Sequence, residues 1–156
     1  MSAVPFVERR RTCLTYSAGG HLAELERALD GLHFENCFHV TYLGGRTSTI
    51  APGRIYHVCH PRRSVARTLL NAAQSLWLLL RERPEIVIST GADVAVPTIV
   101  IAKLLGAKVV FIETSGSIEP SLAGRLVYRF SDLFVVPWPE KLRAFPKARL
   151  AQGPLL

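Results

Sequence analysis

Only three cysteines occur in these 156 residues, and Cys13, Cys37 and Cys59 have neither zinc-like spacing nor the even pairing of a secreted scaffold. They read as reduced core thiols, and no metal site is expected. No run of about 18 uncharged apolar residues is present, so no membrane-spanning helix is expected. Residues 1–11 lack the apolar core of a signal peptide and carry the basic cluster Arg9, Arg10 and Arg11, so the chain is expected to be cytosolic or peripheral to a membrane. Acidic side chains are few: 12 against 19 lysines and arginines, a formal net charge of +7. That imbalance favours anionic partners, whether nucleic acid, anionic headgroups or sugar phosphates. Three nucleotide or nucleophile signatures are missing as well. There is no G-x-x-x-x-G-K-[ST], no G-x-G-x-x-G and no serine in a nucleophile elbow.

What is present is a regular alternation. Short β-branched or apolar runs at 12–16, 38–43, 55–59, 86–89, 109–112 and 133–136 read as strands, and helical patterns follow most of them. Over 20–32, Leu22, Leu25, Leu29 and Leu32 keep helical spacing, with Glu24, Glu26, Arg27 and Asp30 opposite. A helix over 64–82 starts at Ser64 as cap and stops before Pro84. Its projection puts Leu78 in the polar stripe of Arg67, Asn71, Gln74 and Arg81, with Trp77 at the flank, so both are expected at the surface. The apolar segment 94–105 reads as a buried helix capped by Asp93, and a further helix after Pro120 is expected to turn Leu122, Leu126 and Val127 inward. The expected fold is α/β, a doubly wound, mostly parallel Rossmann-like sheet. Residues 1–11 form a basic tail and 12–156 a single domain, large enough to bury roughly 70% of its unfolded surface.

In such a sheet ligands bind at the carboxyl ends of the strands. Three loops are expected to converge there, Ser17-Ala-Gly-Gly-His21, Ser89-Thr-Gly-Ala-Asp93 and Glu113-Thr-Ser-Gly-Ser117. Small residues and free N–H groups suit a phosphate, while His21 and Glu113 could move a proton or orient a sugar hydroxyl. His21 reads equally as a helix-terminal hydrogen-bonding residue, Glu113 has the alternative of a strand-end carboxylate paired with a neighbouring arginine, and Asp93 reads as a helix cap. His33, His39, His57 and His60 show no metal-ligand spacing.

Five segments then carry a family resemblance: Tyr16-Ser-Ala-Gly-Gly-His-Leu-Ala-Glu24, Val87-Ile-Ser-Thr-Gly-Ala-Asp-Val-Ala-Val-Pro97, Phe111-Ile-Glu-Thr114, Ser121-Leu-Ala-Gly-Arg-Leu-Val-Tyr128 and Asp132-Leu-Phe-Val-Val-Pro-Trp-Pro-Glu140. Together they resemble the PssD/CpsF proteins of bacterial capsule and exopolysaccharide synthesis. They are similar also to the membrane-anchoring subunit of the two-part transferase that extends dolichol-linked chitobiose. The resemblance implies the acceptor-side half of a MurG-like GT-B glycosyltransferase, inactive alone, with the UDP-sugar donor held by a separate subunit and no cofactor bound by this chain. It implies His21 as base in an inverting displacement, with Glu113 as a second catalytic candidate. Ser17, Gly19, Gly20, Gly91 and Thr114 become acceptor contacts, and the lipid-pyrophosphate-linked sugar becomes the acceptor. The expected location is the cytoplasmic face of a membrane, reached through Arg62, Arg63, Trp77 and Leu78 on a basic, apolar surface. Trp138, Glu140 and the terminal 154–156 are expected near the partner. The alternatives are a non-catalytic scaffold and a basic nucleic-acid-binding domain, the latter without interleaved aromatics to support it.

Overall fold

The computed structural model describes residues 6–152. Among the described residues, strands β1 (Phe6–Glu8), β2 (Thr12–Thr15), β3 (Leu32–Phe34), β4 (Cys37–Thr41), β5 (Gly53–His57), β6 (Ile86–Ser89), β7 (Lys108–Ile112), β8 (Leu133–Val136) and β9 (Arg149–Leu150) alternate with four α-helices. These are α1 (Gly20–Ala28), α2 (Val65–Glu82), α3 (Val96–Leu104) and α4 (Leu122–Val127). Seven strands form one sheet in the order β5-β4-β2-β6-β7-β8-β9, every neighbouring pair parallel. The direction of winding reverses between β2 and β6, which is where a doubly wound sheet opens a crevice. β1 pairs with β3 in a separate two-stranded ladder, so part of the basic segment expected to be a tail is a strand.

Side chains alternate across the pleat and sort into two cores. Cys13, Val87, Val109, Phe111, Phe134 and Val136 face α2, α3 and α4. Leu14, Tyr16, Ile86, Ile88 and Ile112 face α1 through Leu22, Leu25 and Leu29. A cluster of Phe111, Tyr128, Phe134 and Phe145, with ring centroids 4.6–5.0 Å apart, closes the β8 end.

Helix α2 begins at Ser64, whose hydroxyl accepts from Arg67 N–H, and ends with Arg83 in the left-handed region at φ 46° just before Pro84. Its buried face differs from the projected one. Asn71, Ser75, Leu78 and Leu79 point inward, because polar groups there find partners: Asn71 donates to the Cys59 and Val94 carbonyls and Ser75 meets Thr98 Oγ1 at 2.9 Å. Leu78 is therefore core, only 3% exposed, and not a surface residue. Trp77 is 60% exposed, as expected, and Leu69, Leu70, Leu76 and Leu80 join it outside.

Two other helix expectations are corrected. Helix α3 starts at Val96 without a side-chain cap; Asp93 turns instead toward His60, 3.7 Å away. In α4 only Val127 of the three expected apolar residues is buried, since a six-residue helix has a single narrow contact face and Leu122 and Leu126 fall outside it.

Candidate functional site

The first loop leaves β2 through the buried Ser17 and reaches Gly19, whose φ of 95° is favourable only for glycine. Gly19 is the N-cap of α1 and offers no side chain to its first turn, so that end of the helix is left for other hydrogen-bond acceptors. The second loop leaves β6 through Ser89, which accepts from Gly91 N–H at 3.0 Å. Gly91 has φ 104°, and a Cβ there would lie 3.2 Å from the Phe111 ring.

His21 and Thr90 join the two loops. The imidazole Nδ1 lies 3.0 Å from the Thr90 carbonyl, and the Thr90 hydroxyl donates to the His21 carbonyl at 2.6 Å. A carbonyl can only accept, so Nδ1 carries a proton in this contact, and the other ring nitrogen, Nε2, is the one not engaged by Thr90. The His21 side chain remains 31% exposed. The first two of the three loops expected to converge thus meet at the crevice, joined through His21 and Thr90.

Glu113 takes a different place from the one its position suggested. It is 1% exposed, accepts from Ser121 N–H at 2.8 Å and from the Ser121 hydroxyl at 3.0 Å, and pairs with Lys141 Nζ at 3.1 Å. Lys141 is fully buried and also donates to the Thr114 carbonyl at 2.6 Å. Both Glu113 oxygens are thereby committed to holding the third loop, α4 and the turn Pro139–Arg143 together. Thr114 is engaged too: its hydroxyl donates to Glu24 and accepts from Gly116 N–H. Trp138 joins this network by donating its indole N–H to the Ser115 carbonyl at 3.0 Å. Residues 154–156 lie outside the described residues.

Three participants escaped the sequence reading. Thr90 was inside a selected loop, but nothing in its identity announced a contact with His21. Lys141 is the only partner cation at Glu113 among the described residues and sits in a short turn without periodicity. Helical spacing puts Glu24 opposite the apolar stripe of α1, yet it is buried, because α1 packs against the third loop as well as the sheet. Its spacing of three residues after His21 was the available signal.

Arg62 and Arg63 are exposed, both with positive φ (48° and 56°), immediately before α2. The Arg81 guanidinium lies 5.4 Å from the centroid of the exposed Trp77 ring. A groove of about 480 Å³ runs beside Trp77 between α2 and β5, lined also by Tyr56 and Ala73. Among the described residues no helix is long and apolar enough to cross a membrane.

Comparison with known proteins gives a consistent picture. The model of a family described as "Oligosaccharide biosynthesis protein Alg14 like" matches residues 57–154. The human protein named UDP-N-acetylglucosamine transferase subunit ALG14 is 30% identical over 98 residues, 56% of this chain and 45% of the relative. A Treponema pallidum protein named UDP-N-acetylglucosamine--N-acetylmuramyl-(pentapeptide) pyrophosphoryl-undecaprenol N-acetylglucosamine transferase is 39% identical over 87 residues, 56% of this chain and 22% of the relative. The chain thus spans less than half the length of these relatives. Among solved structures, Acinetobacter baumannii MurG superposes with a TM-score of 0.62 at 16% identity, over 83% of this chain and 42% of that one. A UDP-N-acetylglucosamine 2-epimerase from Rickettsia bellii gives 0.69 at 11% identity, over 94% and 45%. At those identities the likeness is one of fold: the Rossmann-like half of a GT-B architecture.

Proposed function

Because the chain belongs to the Alg14-like family of oligosaccharide biosynthesis proteins, we propose that it is the acceptor-binding half of a two-part inverting glycosyltransferase. A separate subunit supplies the sugar nucleotide, and the acceptor is a sugar on a lipid pyrophosphate. The observation that carries this reading is the clasp of His21 and Thr90 at the point where the sheet winding reverses. It leaves the imidazole Nε2 unengaged by Thr90, in a crevice bordered by a helix N-terminus that has no side-chain cap hydrogen bond.

In the reaction, the first turn of α1 with Ser17, Gly19 and Gly20 receives the anionic part of the acceptor, and Gly91 lets the second loop approach it. His21 Nε2 accepts the proton of the acceptor hydroxyl as that oxygen bonds to the anomeric carbon and the nucleoside diphosphate leaves with the bonding pair. A single displacement of this kind inverts the anomeric centre and needs no covalent enzyme intermediate. Glu113 is committed elsewhere and takes no proton in this scheme.

The membrane-facing surface is built from Arg62, Arg63 and the exposed side of α2, including Trp77 and Leu80. Cations beside an apolar helical face suit the interface of an anionic bilayer. The bacterial setting, capsule or exopolysaccharide assembly at the cytoplasmic face, belongs to the same reading, as does a partner docked near Trp138 and Glu140.

The test is transfer of radiolabelled sugar from UDP-glucose, UDP-glucuronate or UDP-N-acetylglucosamine to a polyprenyl-pyrophosphate-linked sugar, using this chain alone and with its genomically neighbouring small glycosyltransferase subunit. Product in the mixture only is expected. Product from this chain alone would overturn the split arrangement, and full turnover by the pair carrying His21→Ala would leave this half as scaffold.

A further inference from the structure

Glu24 is 7% exposed and uses its two carboxylate oxygens unequally. Oε1 accepts three hydrogen bonds, from Ser115 N–H at 2.7 Å, the Ser115 hydroxyl at 2.6 Å and the Thr114 hydroxyl at 3.1 Å. Oε2 is buried and has no hydrogen-bond partner among the described residues. Such an atom forfeits hydration without recovering it, which proteins rarely accept unless the group has another use. Oε2 lies 3.9 Å from His21 Nδ1, in ion-pair range and beyond a hydrogen bond. Since Nδ1–H is already directed at the Thr90 carbonyl, the carboxylate adds an electrostatic contact to that hydrogen bond.

We propose that Glu24 is a positioning residue for His21, holding the imidazole with Nδ1 protonated and Nε2 free, and balancing the charge that the ring gains when Nε2 takes a proton. The inference deepens the reading of His21 as the proton acceptor and rests on it. The sealed position of Oε2 prevents it from meeting the acceptor directly, so its effect passes through the imidazole. The low-dielectric surroundings that leave Oε2 unsolvated also strengthen its interaction with a developing imidazolium.

Glu24→Gln isolates this role. Three donors converge on the Oε1 position, so the glutamine carbonyl must remain there and its NH₂ group must replace Oε2. The anchor to Ser115 survives, while a donor now faces the Nδ1–H of His21. In the isolated chain, ¹⁵N NMR of the His21 ring is expected to show the Nδ1–H tautomer in the parent and a substantial Nε2–H population in E24Q. An unchanged tautomer in a folded E24Q overturns the proposal. If E24Q does not fold, the parent spectrum still decides: a majority Nε2–H tautomer there overturns it.

The assembled pair supplies the second readout, with UDP-N-acetylglucosamine and a polyprenyl-pyrophosphate-linked sugar as probes. E24Q is expected to lower kcat about tenfold or more with acceptor KM within about twofold, and to have no further effect in the His21→Ala background. Equal losses in both backgrounds would make Glu24 merely structural and overturn the proposal. Failure of the wider reading looks different: the tautomer result stands while His21→Ala keeps full turnover.

Discussion

His21 and Thr90 hold each other by two hydrogen bonds of opposite direction, Nδ1–H to the Thr90 carbonyl and the Thr90 hydroxyl to the His21 carbonyl. They stand 69 residues apart in sequence, on the loops after β2 and β6, so the pair fixes the spacing of the crevice walls. Thr90→Val removes the hydroxyl and keeps the side-chain shape. It is expected to cost about 1 kcal/mol in urea unfolding, with Thr90→Ser close to the parent. Equal stability of the valine and parent proteins would show that the hydroxyl bond of the clasp contributes nothing, since the valine keeps the carbonyl that faces His21 Nδ1.

The buried pair of Glu113 and Lys141 leads to a larger effect. Lys141→Met leaves the Glu113 charge without its cation, and an uncompensated buried charge costs about 3–5 kcal/mol. Glu113→Gln combined with Lys141→Met should recover much of that loss. Gly124→Ala probes the same spot, since a Cβ there would stand within the radius of Glu113 Oε2 and close to the Ser121 hydroxyl. It is expected to lower the thermal midpoint measurably although alanine favours helix.

How much of this was legible in the sequence follows from what kind of force fixes each feature. Strands 86–89 and 133–136 and the helix from Ser64 to the approach of Pro84 were readable because local pattern, cap and proline stop agree. The three loops at the carboxyl edge were readable because a parallel α/β alternation dictates where strands end. The inward face of α2 was not, because Asn71 and Ser75 are buried by long-range partners, Val94 and Thr98, that no helical projection contains. Glu113 left two readings open for a similar reason, and the partner cation is Lys141 rather than a neighbouring arginine. An acid at a strand end looks functional until its cation, 28 residues away in a short turn, is known.

His39 makes stability depend on pH. Burial pushes its imidazole below the ordinary histidine value, outweighing the hydrogen bond to the Ala51 carbonyl. The neutral ring sits between that carbonyl at 2.9 Å and the Tyr16 hydroxyl at 3.1 Å, and Tyr16 in turn accepts from Ser48 N–H. As pH falls below about 6.5 the unfolded chain binds a proton at this residue that the folded chain refuses, so stability falls. The contribution is bounded at about 1.4 kcal/mol per pH unit. Urea unfolding at pH 7.5 and 5.5 should therefore show a smaller acid loss in His39→Gln than in the parent. Identical acid losses would mean that His39 ionises freely in the native state.

Trp77 and Leu78 are adjacent in sequence and opposite in exposure, 60% against 3%, which makes them a control pair for the proposed membrane surface. If α2 lies against an anionic bilayer, Trp77→Ser should weaken cosedimentation with phosphatidylglycerol-containing vesicles while leaving the unfolding midpoint nearly unchanged. Leu78→Ala should do the reverse, costing about 2–5 kcal/mol of stability because it empties a core site, with vesicle binding of the folded protein retained. Arg62 and Arg63 supply the electrostatic part. Each basic residue near such a surface is worth about 1 kcal/mol, so reversing both should weaken binding by at least about 2 kcal/mol, roughly thirtyfold, and the loss should shrink as salt rises. Binding that survives both Trp77→Ser and the double charge reversal would remove this face of α2 from the membrane and leave its exposed leucines to a protein partner.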